Sequence, residues 1–268
     1  MSQPKIGFIG AGNMATAIIN GIIKADIISA NSIYVYDLSA EKMSAMSKKG
    51  LRAAASGQEV VKNCDVVFLA VKPQNYEEVL TGLMGYADDK KVFVSIAAGI
   101  STQYVTKLLG VNCPVVRAMP NTPLLLSKGA TALCRGEGVS DDDFSLVSSL
   151  FAASGIVEEL MEDKMNEIIA VNGSSPAYIY LFAKAVIDYA VSVHIDAGAA
   201  MRLFCKTLEG SAAMLTDSGN TPDELIKMVS SPGGTTLKAL ESLKEHGFYE
   251  AVIEAMKRCT ERAVELGR

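Results

Sequence analysis

A glycine-rich loop near the C-terminal end of the chain is built from residue types that bind anions. The loop is Ser230-Ser231-Pro232-Gly233-Gly234-Thr235-Thr236, and a helix-like segment follows it directly. Unpaired backbone N–H groups at a helix start, together with the positive end of the helix dipole, attract negative charge. The two glycines let an anion approach the backbone closely, and the two threonines add hydroxyl donors. The loop therefore predicts a site for a phosphate or a carboxylate.

A second glycine loop, Gly10-Ala11-Gly12-Asn13-Met14-Ala15, lies near the other end of the chain. It follows the apolar run Ile6–Ile9 and precedes a helix-like segment, which is the strand, glycine turn and helix of a dinucleotide-binding fold, with Ala in the third glycine position. A second strand-like run, 32–36, ends in Asp37, where an acid can bind the adenosine ribose. Because this loop already accounts for a phosphate, the C-terminal loop is left to bind a carboxylate.

The first 160 residues alternate strand-like and helical segments. The continuous apolar runs 65–71, 92–96 and 114–119 are typical of parallel strands buried on both faces, and 130–134 and 156–160 are further strand candidates around a helix at 141–153. In open parallel sheets, ligands bind beyond the carboxyl ends of the strands. The predicted cofactor-binding residues are therefore Ile9, Gly10, Gly12, Asn13, Met14, Asp37, Ala70, Val71, Lys72, Pro73, Ala97, Ala98, Gly99 and Asn121.

The remaining sequence, from about residue 163, predicts only helices and short turns. The sequence thus indicates an α/β fold, with a Rossmann-type parallel-sheet domain at 1–162 and an all-helical domain at 163–268. The segment 178–193 is apolar at almost every position, so it must be buried on most sides, and a second subunit is expected to complete that burial. Gly173-Ser174-Ser175-Pro176-Ala177 lies either at the start of this helix or inside it, where the proline would kink it.

The composition excludes several classes of function. The 268 residues carry a net charge of −5 without a basic run, so nucleic acid is not an expected partner. Five widely spaced cysteines without a C-x-x-C pair indicate reduced thiols in a cytoplasmic protein and no metal site. The two histidines, His194 and His246, lie near predicted helix ends. No apolar run approaches the ~20 residues of a membrane span, and we expect no leader segment.

Several motifs occur along the chain in the order found in one enzyme family. They are Phe8-Ile9-Gly10-Ala11-Gly12-Asn13-Met14, Ala70-Val71-Lys72-Pro73, Arg117-Ala118-Met119-Pro120-Asn121-Thr122-Pro123, Gly173-Ser174-Ser175-Pro176-Ala177-Tyr178 and Ser231-Pro232-Gly233-Gly234-Thr235-Thr236. With these motifs the chain resembles the pyrroline-5-carboxylate reductases over nearly its whole length. The first motif is shared by many dehydrogenases, whereas the last, in a helical C-terminal domain, is highly specific.

The resemblance implies a reaction and a role for the C-terminal loop. A hydride passes from NADPH or NADH to C5 of the cyclic imine 1-pyrroline-5-carboxylate, giving L-proline in the last step of proline biosynthesis. The backbone amides of the loop hold the substrate carboxylate, and the catalytic residue Thr236 hydrogen-bonds the ring nitrogen. The implied protein is a homodimer with interleaved helices, in many members assembled further as a pentamer of dimers. The implied substrate-binding residues are Ser231, Gly233, Gly234, Thr235 and Thr236.

Some questions stay open at the level of the sequence. Asp37 favours NADH because a carboxylate repels a 2′-phosphate, whereas the resemblance implies frequent use of NADPH, and Lys42 could reduce the repulsion. Thr236 has helix capping as an alternative role. A β-hydroxyacid dehydrogenase would need a lysine early in the first long C-terminal helix, and 171–180 contains none. A nucleotide sensor without chemistry is the other alternative, and the intact C-terminal loop argues against it.

Overall fold

The computed structural model describes residues 3–267 and contains one large sheet in this part of the chain. The strands are β1 (Ile6–Ile9), β2 (Ile33–Tyr36), β3 (Arg52–Ala53), β4 (Val66–Leu69), β5 (Val92–Ser95), β6 (Val115–Pro120), β7 (Gly129–Arg135) and β8 (Gly155–Glu159). Their order in the sheet is β3-β2-β1-β4-β5-β6-β7-β8. Neighbouring strands are parallel, except that β7 runs antiparallel to β6.

The apolar runs of the sequence form the centre of this sheet. Strands β1, β4, β5 and β6 are buried at every position, as parallel strands covered on both faces require. One core packs around the stacked rings of Phe8 and Phe68, whose centroids are 4.5 Å apart, and the alternate residues form a second core around Tyr76. The predicted strands are confirmed to within two residues at each end. The short β3 and the reversed direction of β7 are not evident from the sequence.

The helices of the sheet domain begin at polar caps, with two exceptions. Ser39, Ser56, Ser101 and Ser140 each precede a helix and accept a hydrogen bond from its third amide. The first and fourth helices have no such side-chain bond at their N-caps. The helices are α1 (Asn13–Lys24), α2 (Ala40–Lys48), α3 (Gly57–Asn63), α4 (Tyr76–Gly82), α5 (Thr102–Leu109) and α6 (Asp141–Ala152).

The predicted change to helical structure after residue 162 is confirmed. A 3-10 turn, Glu162–Lys164, and a π-helical turn, Ile169–Gly173, precede the long helices. Pro176 is the second residue of the first long helix, so the proline begins that helix and does not kink its interior. The helices are α7 (Ser175–Ser192), α8 (Ala197–Asp217), α9 (Pro222–Met228), α10 (Thr235–Glu245) and α11 (Phe248–Leu266).

Helices α7 and α8 expose much apolar surface in the single chain. Tyr180, Leu181, Tyr189 and Leu203 are each more than 60% exposed. An apolar surface of this kind marks a protein contact. Among the described residues, no helix is both long and apolar enough to cross a membrane.

The chain separates into two compact units. One contains the residues up to Pro176 together with those from Arg258 onward, and the other contains Ala177–Lys257. Helices α7 and α11 therefore each belong partly to both units. This division follows internal packing, and the functional boundary expected between residues 162 and 163 stays a prediction.

Candidate functional site

The two glycines of the N-terminal loop are required for different reasons. Gly10 has a φ of +103°, and a Cβ at this position would lie 2.5 Å from the carbonyl oxygen of Ala70, so the packing of the protein itself demands glycine. Gly12, the N-cap of α1, has a φ of −75°, and within the described residues a Cβ there would meet no atom within 4 Å. The space beside Gly12 is open, and no side chain occupies the first amides of α1. These features fit a pyrophosphate bound at the helix start.

Asp37 holds this loop in place. Its carboxylate accepts hydrogen bonds from the backbone N–H of Ala11 at 2.7 Å and of Ser39 at 2.9 Å, and it pairs with the Lys42 ammonium at 3.2 Å. Burial alone would raise the pKa of Asp37, but the hydrogen bonds from Ala11, Ser39 and Lys42 outweigh it and hold the pKa below its usual value. The sequence assigns Asp37 to the adenosine ribose. The structure gives both of its oxygens protein donors, so its first role is to organise the loop.

The strand register brings the predicted cofactor residues to one edge of the sheet. Ile9 pairs with Tyr36 on one side and Leu69 on the other, and Leu69 pairs with Ser95. The segments that follow these strands, which begin at Gly10, Asp37, Ala70 and Ile96, therefore lie side by side. The side chain of Ile9 itself is buried in the second core, and its carbonyl accepts a hydrogen bond from the Ala70 amide, so Ile9 supports the loop from below.

Three predicted residues around the β4 loop lie at the surface of this edge. Val71 and Pro73 are half-buried, and Lys72 is exposed at the start of a short 3-10 turn, Pro73–Asn75. In the N-terminal loop, Asn13 is exposed and Met14 packs partly against the first core. The contact of these five residues with a cofactor stays a prediction.

Gly99 in the loop after β5 faces protein. Its φ is +81°, and a Cβ there would overlap the carbonyl oxygen of Ala263 in the last turn of α11. Ala97 is 3% exposed in the second core, and Ala98 packs against a third core that includes Met119 and Ala263. The sequence explains these small residues by a backbone lying against a cofactor. At Gly99 the structure shows a different reason for a small residue, because the end of α11 packs directly against its backbone.

Asn121 at the end of β6 is engaged within the protein. Its Nδ2 donates to Oδ1 of Asn172 at 2.8 Å, and its Oδ1 accepts from the Ala130 amide at 3.0 Å. Asn172 in turn donates to the carbonyls of Met119 and Ala130 at 2.9 and 3.0 Å. This asparagine pair fastens the π-helical turn to β6 and β7. The turn leads directly into α7, and a π-helical insertion in this position is itself a common mark of a functional region.

Arg117 belongs to a buried network instead of the cofactor surface. It is 2% exposed, and its guanidinium donates to Glu162 at 3.1 Å and to Asn166 at 2.6 Å. Glu162 also accepts hydrogen bonds from the amide and hydroxyl of Thr102, at 3.2 and 2.9 Å. The network ties β6 and the start of α5 to the connection after β8. Asn172 and Glu162 are structurally important residues that sequence reasoning missed, because an isolated Asn or Glu in a connection carries no periodic signal.

The C-terminal loop forms a second open helix start. Gly234 is the N-cap of α10, and it offers no side chain to the first amides of the helix. Gly233 has a φ of +74°, and no described atom lies within 4 Å of a Cβ position there, whereas a Cβ at Gly234 would crowd the Ser231 hydroxyl at 2.7 Å. The amide of Gly234 is already bound to the Ser231 carbonyl, so the free donors are those of the first turn of α10. This geometry fits the predicted anion site, and binding of an anion there stays a prediction.

Thr236 is half-buried in the first turn of α10. Its hydroxyl has no hydrogen-bond partner among the described residues, and Gly234 fills the N-cap position. Capping, the alternative role of Thr236, is not what its side chain does here. The hydroxyl is left available to a ligand.

The other residues with reactive side chains are not gathered into a site. Cys64, Cys113 and Cys134 are buried, and burial raises the pKa of the Cys64 thiol to about 12, so these residues act as small apolar groups. The His246 ring bonds the Ser242 carbonyl at the end of α10. Within the described residues, no cluster of three potential metal ligands occurs.

A mostly parallel sheet with an open glycine loop after its first strand is typical of a dinucleotide-dependent oxidoreductase. The helices that follow contain a second helix start with a glycine at its N-cap. The chain is 38% identical to pyrroline-5-carboxylate reductase of Escherichia coli (strain K12) over 99% of both chains, and 35% identical to that of Methanosarcina acetivorans over 100% of both. It belongs to the pyrroline-5-carboxylate reductase family.

Family models and solved structures agree with this assignment. Residues 162–266 match the family model described as "Pyrroline-5-carboxylate reductase dimerisation". Residues 5–99 match the family model described as "NADP oxidoreductase coenzyme F420-dependent". The crystal structure of Plasmodium falciparum pyrroline carboxylate reductase with NADP bound superposes with a TM-score of 0.93, at 30% identity and full coverage of both chains. The dimerisation match and the exposed apolar residues of α7 and α8 together indicate a homo-oligomer.

Proposed function

We propose that this protein reduces 1-pyrroline-5-carboxylate to L-proline with a reduced nicotinamide dinucleotide. The observation that carries the proposal is the pair of glycine-capped helix starts, at Gly12 and Gly234, which leave their first amides free. One fits a pyrophosphate and the other a carboxylate, the two anionic groups that this reaction brings together. The names of the relatives, which span the whole chain, support the same substrate.

The chain's own residues hold and orient the substrate in this proposal. Amides of the first turn of α10, including that of Thr235, bind the carboxylate beside Ser231 and Gly233, and Gly234 leaves these amides uncapped. The free Thr236 hydroxyl bonds the ring nitrogen as the imine becomes an amine. The reduced nicotinamide supplies the hydride. A protonated imine is already electrophilic, so positioning accounts for most of the rate and a strong acid is not required.

We propose NADPH as the preferred cofactor. Asp37 argues for NADH only if its carboxylate faces the ribose, and here both oxygens accept hydrogen bonds from the protein. Lys42 neutralises this carboxylate and is 48% exposed in its side chain, so it can also face a 2′-phosphate. Substituting Lys42→Gln should reduce the ratio of kcat/KM for NADPH over NADH by about tenfold, the size of one charge-assisted hydrogen bond. A wild-type preference for NADH would contradict the assignment.

The assembly proposed is a homodimer through α7 and α8, extended to a pentamer of dimers, in the cytoplasm. The exposed apolar residues of these helices support the dimer. Light scattering after size-exclusion chromatography measures the mass directly. A stable monomer at micromolar concentration would contradict the dimer, and a stable dimer would contradict only the larger assembly.

The reaction itself is tested by following NADPH absorbance after adding 1-pyrroline-5-carboxylate. The matched variants are Thr236→Ala and Thr236→Ser, which remove and retain the hydroxyl. Turnover that is lost in the first and largely kept in the second supports the proposed role. Dinucleotide binding without turnover by the wild type would instead support a nucleotide sensor.

A further inference from the structure

The end of α11 packs directly against the loop that follows β5, at the predicted cofactor-binding edge of the sheet. A Cβ at Gly99 would overlap the Ala263 carbonyl oxygen, and a Cβ at Gly267 would overlap the Gly99 carbonyl oxygen. The two backbones therefore touch without any side chain between them. Such close packing of main chain on main chain fixes the loop more firmly than a contact between flexible side chains can.

The rest of the same loop also packs against protein. Ala97 is 3% exposed in the core beneath the sheet, and Ala98 packs against the third core, to which Ala263 contributes with 3% exposure. Ile96 and Ile100, on either side of Ala97–Gly99, pack in the two cores, whereas Ala97–Gly99 has no long side chain of its own. The position of Ala97–Gly99 therefore depends on these cores and on the end of α11.

This loop belongs to the nicotinamide half of the cofactor edge. The pyrophosphate cradle follows β1, and the adenosine ribose lies toward β2 in a fold of this kind. The other half of a dinucleotide then extends over β4, β5 and β6, and Ala97–Gly99 follows β5 directly. The end of α11 thus contacts the loop that is expected to position the nicotinamide ring.

We propose that the last turn of α11, together with Gly267 directly after it, is a positioning element for the nicotinamide. This inference rests on the proposed function, because it concerns the same dinucleotide. It assigns a positioning role to residues that lie far along the chain from the loop they contact.

The variant that tests the proposal is Gly267→Ala. Gly267 does not have a positive φ, so alanine is compatible with its backbone, but the new methyl group would meet the Gly99 carbonyl. Restoring a normal contact requires the loop and the turn to separate by about 1 Å. The matched control is Glu265→Ala, which removes an exposed ion pair with Arg262 in the same turn and adds no atom.

Two ligands separate positioning from general damage. NADPH and 2′-phospho-ADP-ribose differ in the dihydronicotinamide ring alone, and calorimetry gives the dissociation constant of each. In Gly267→Ala we expect NADPH binding to weaken about tenfold and kcat to fall by as much as about a hundredfold, while 2′-phospho-ADP-ribose binds as before. The control variant should match the wild type for both ligands.

Equal weakening of both ligands, or no change in either, would overturn the proposal. If Gly267→Ala does not fold, deletion of residues 267 and 268 removes the contact of Gly267 with the Gly99 carbonyl without crowding the loop, and the Ala263 contact is kept. The same selective loss of NADPH affinity is expected there, and unchanged affinity for both ligands would count equally against the proposal. Failure of the proposed reaction would appear separately, as a wild-type protein that binds NADPH and does not turn over.

Discussion

The two glycines of the N-terminal loop should respond to alanine in opposite ways. Gly10→Ala places a side chain on a backbone with φ +103° and 2.5 Å from the Ala70 carbonyl oxygen. A strained backbone of this kind costs about 1–3 kcal/mol, and overpacking adds about 1–3 kcal/mol. Alanine also restricts the conformations of the unfolded chain, which offsets about 0.4–1 kcal/mol of this loss in stability. The net loss in the free energy of unfolding is about 1–5.5 kcal/mol.

Gly12→Ala should leave stability nearly unchanged. Its φ is −75°, and no described atom lies within 4 Å of the new methyl group. Alanine is a poorer N-cap than glycine by about 0.5–1 kcal/mol, and the unfolded-chain term offsets about 0.4–1 kcal/mol of this. The methyl group does, however, enter the space in which a pyrophosphate must approach the backbone. We therefore expect NADPH affinity to fall at least about tenfold, or about 1.4 kcal/mol.

Urea unfolding and calorimetric titration with NADPH, at one fixed protein concentration, measure both effects. The concentration is fixed because the stability of an oligomer depends on it. If Gly12→Ala destabilises the protein as much as Gly10→Ala does, or binds NADPH like the wild type, then the open space beside Gly12 is not the pyrophosphate site.

Three further outcomes follow from the structure. Thr236→Ala should lower kcat/KM by about tenfold to a hundredfold with unchanged NADPH affinity, since it removes a hydrogen bond to the ring nitrogen of about 1.5–3 kcal/mol, and unaltered kinetics would remove Thr236 from the mechanism. The pKa of Asp37 is lower in the folded protein than in the unfolded chain, where it is about 4. The ionised Asp37 therefore stabilises the fold above pH about 4, and this stabilisation is lost as the pH falls below that value. Asp37→Asn should therefore flatten the fall of the unfolding free energy between neutral pH and pH about 3, and a slope equal to the wild type would contradict the loop contacts. Glu162→Gln should destabilise the fold by about 1–3 kcal/mol in urea unfolding, because it leaves the buried Arg117 guanidinium without its counter-charge, whereas Glu261→Gln on the surface should change stability by less than about 0.5 kcal/mol.

Periodicity and turn chemistry in the sequence predict most of the sheet domain. The continuous apolar runs that become β4, β5 and β6 are fully buried because helices cover both faces, and this leaves a clear signal. The two-residue strand β3 has exposed positions and an edge location, so nothing in its pattern distinguishes it from a loop. The antiparallel direction of β7 is equally hidden, because it depends on the path of the connection after β6.

The glycine loops of the candidate site are predictable as loops, but the purpose of each glycine is not. Gly12 is open to a ligand, whereas Gly10 and Gly99 are glycines because carbonyl groups of distant segments lie against them. The same holds for Asp37. Its position after β2 is evident in the sequence, whereas the hydrogen bond that it accepts from the Ala11 amide is not. Contacts between segments far apart in the chain decide these roles, and a local pattern does not contain them.

The transfer of hydride to the cyclic imine can be observed directly with NADPH in which both hydrogens at C4 of the nicotinamide are replaced by deuterium. Incubation with 1-pyrroline-5-carboxylate should yield L-proline with deuterium at C5, in an amount equal to the NADPH consumed, as measured by mass spectrometry. Consumption of NADPH without labelled proline, or binding of both ligands with no product, would contradict the proposed function.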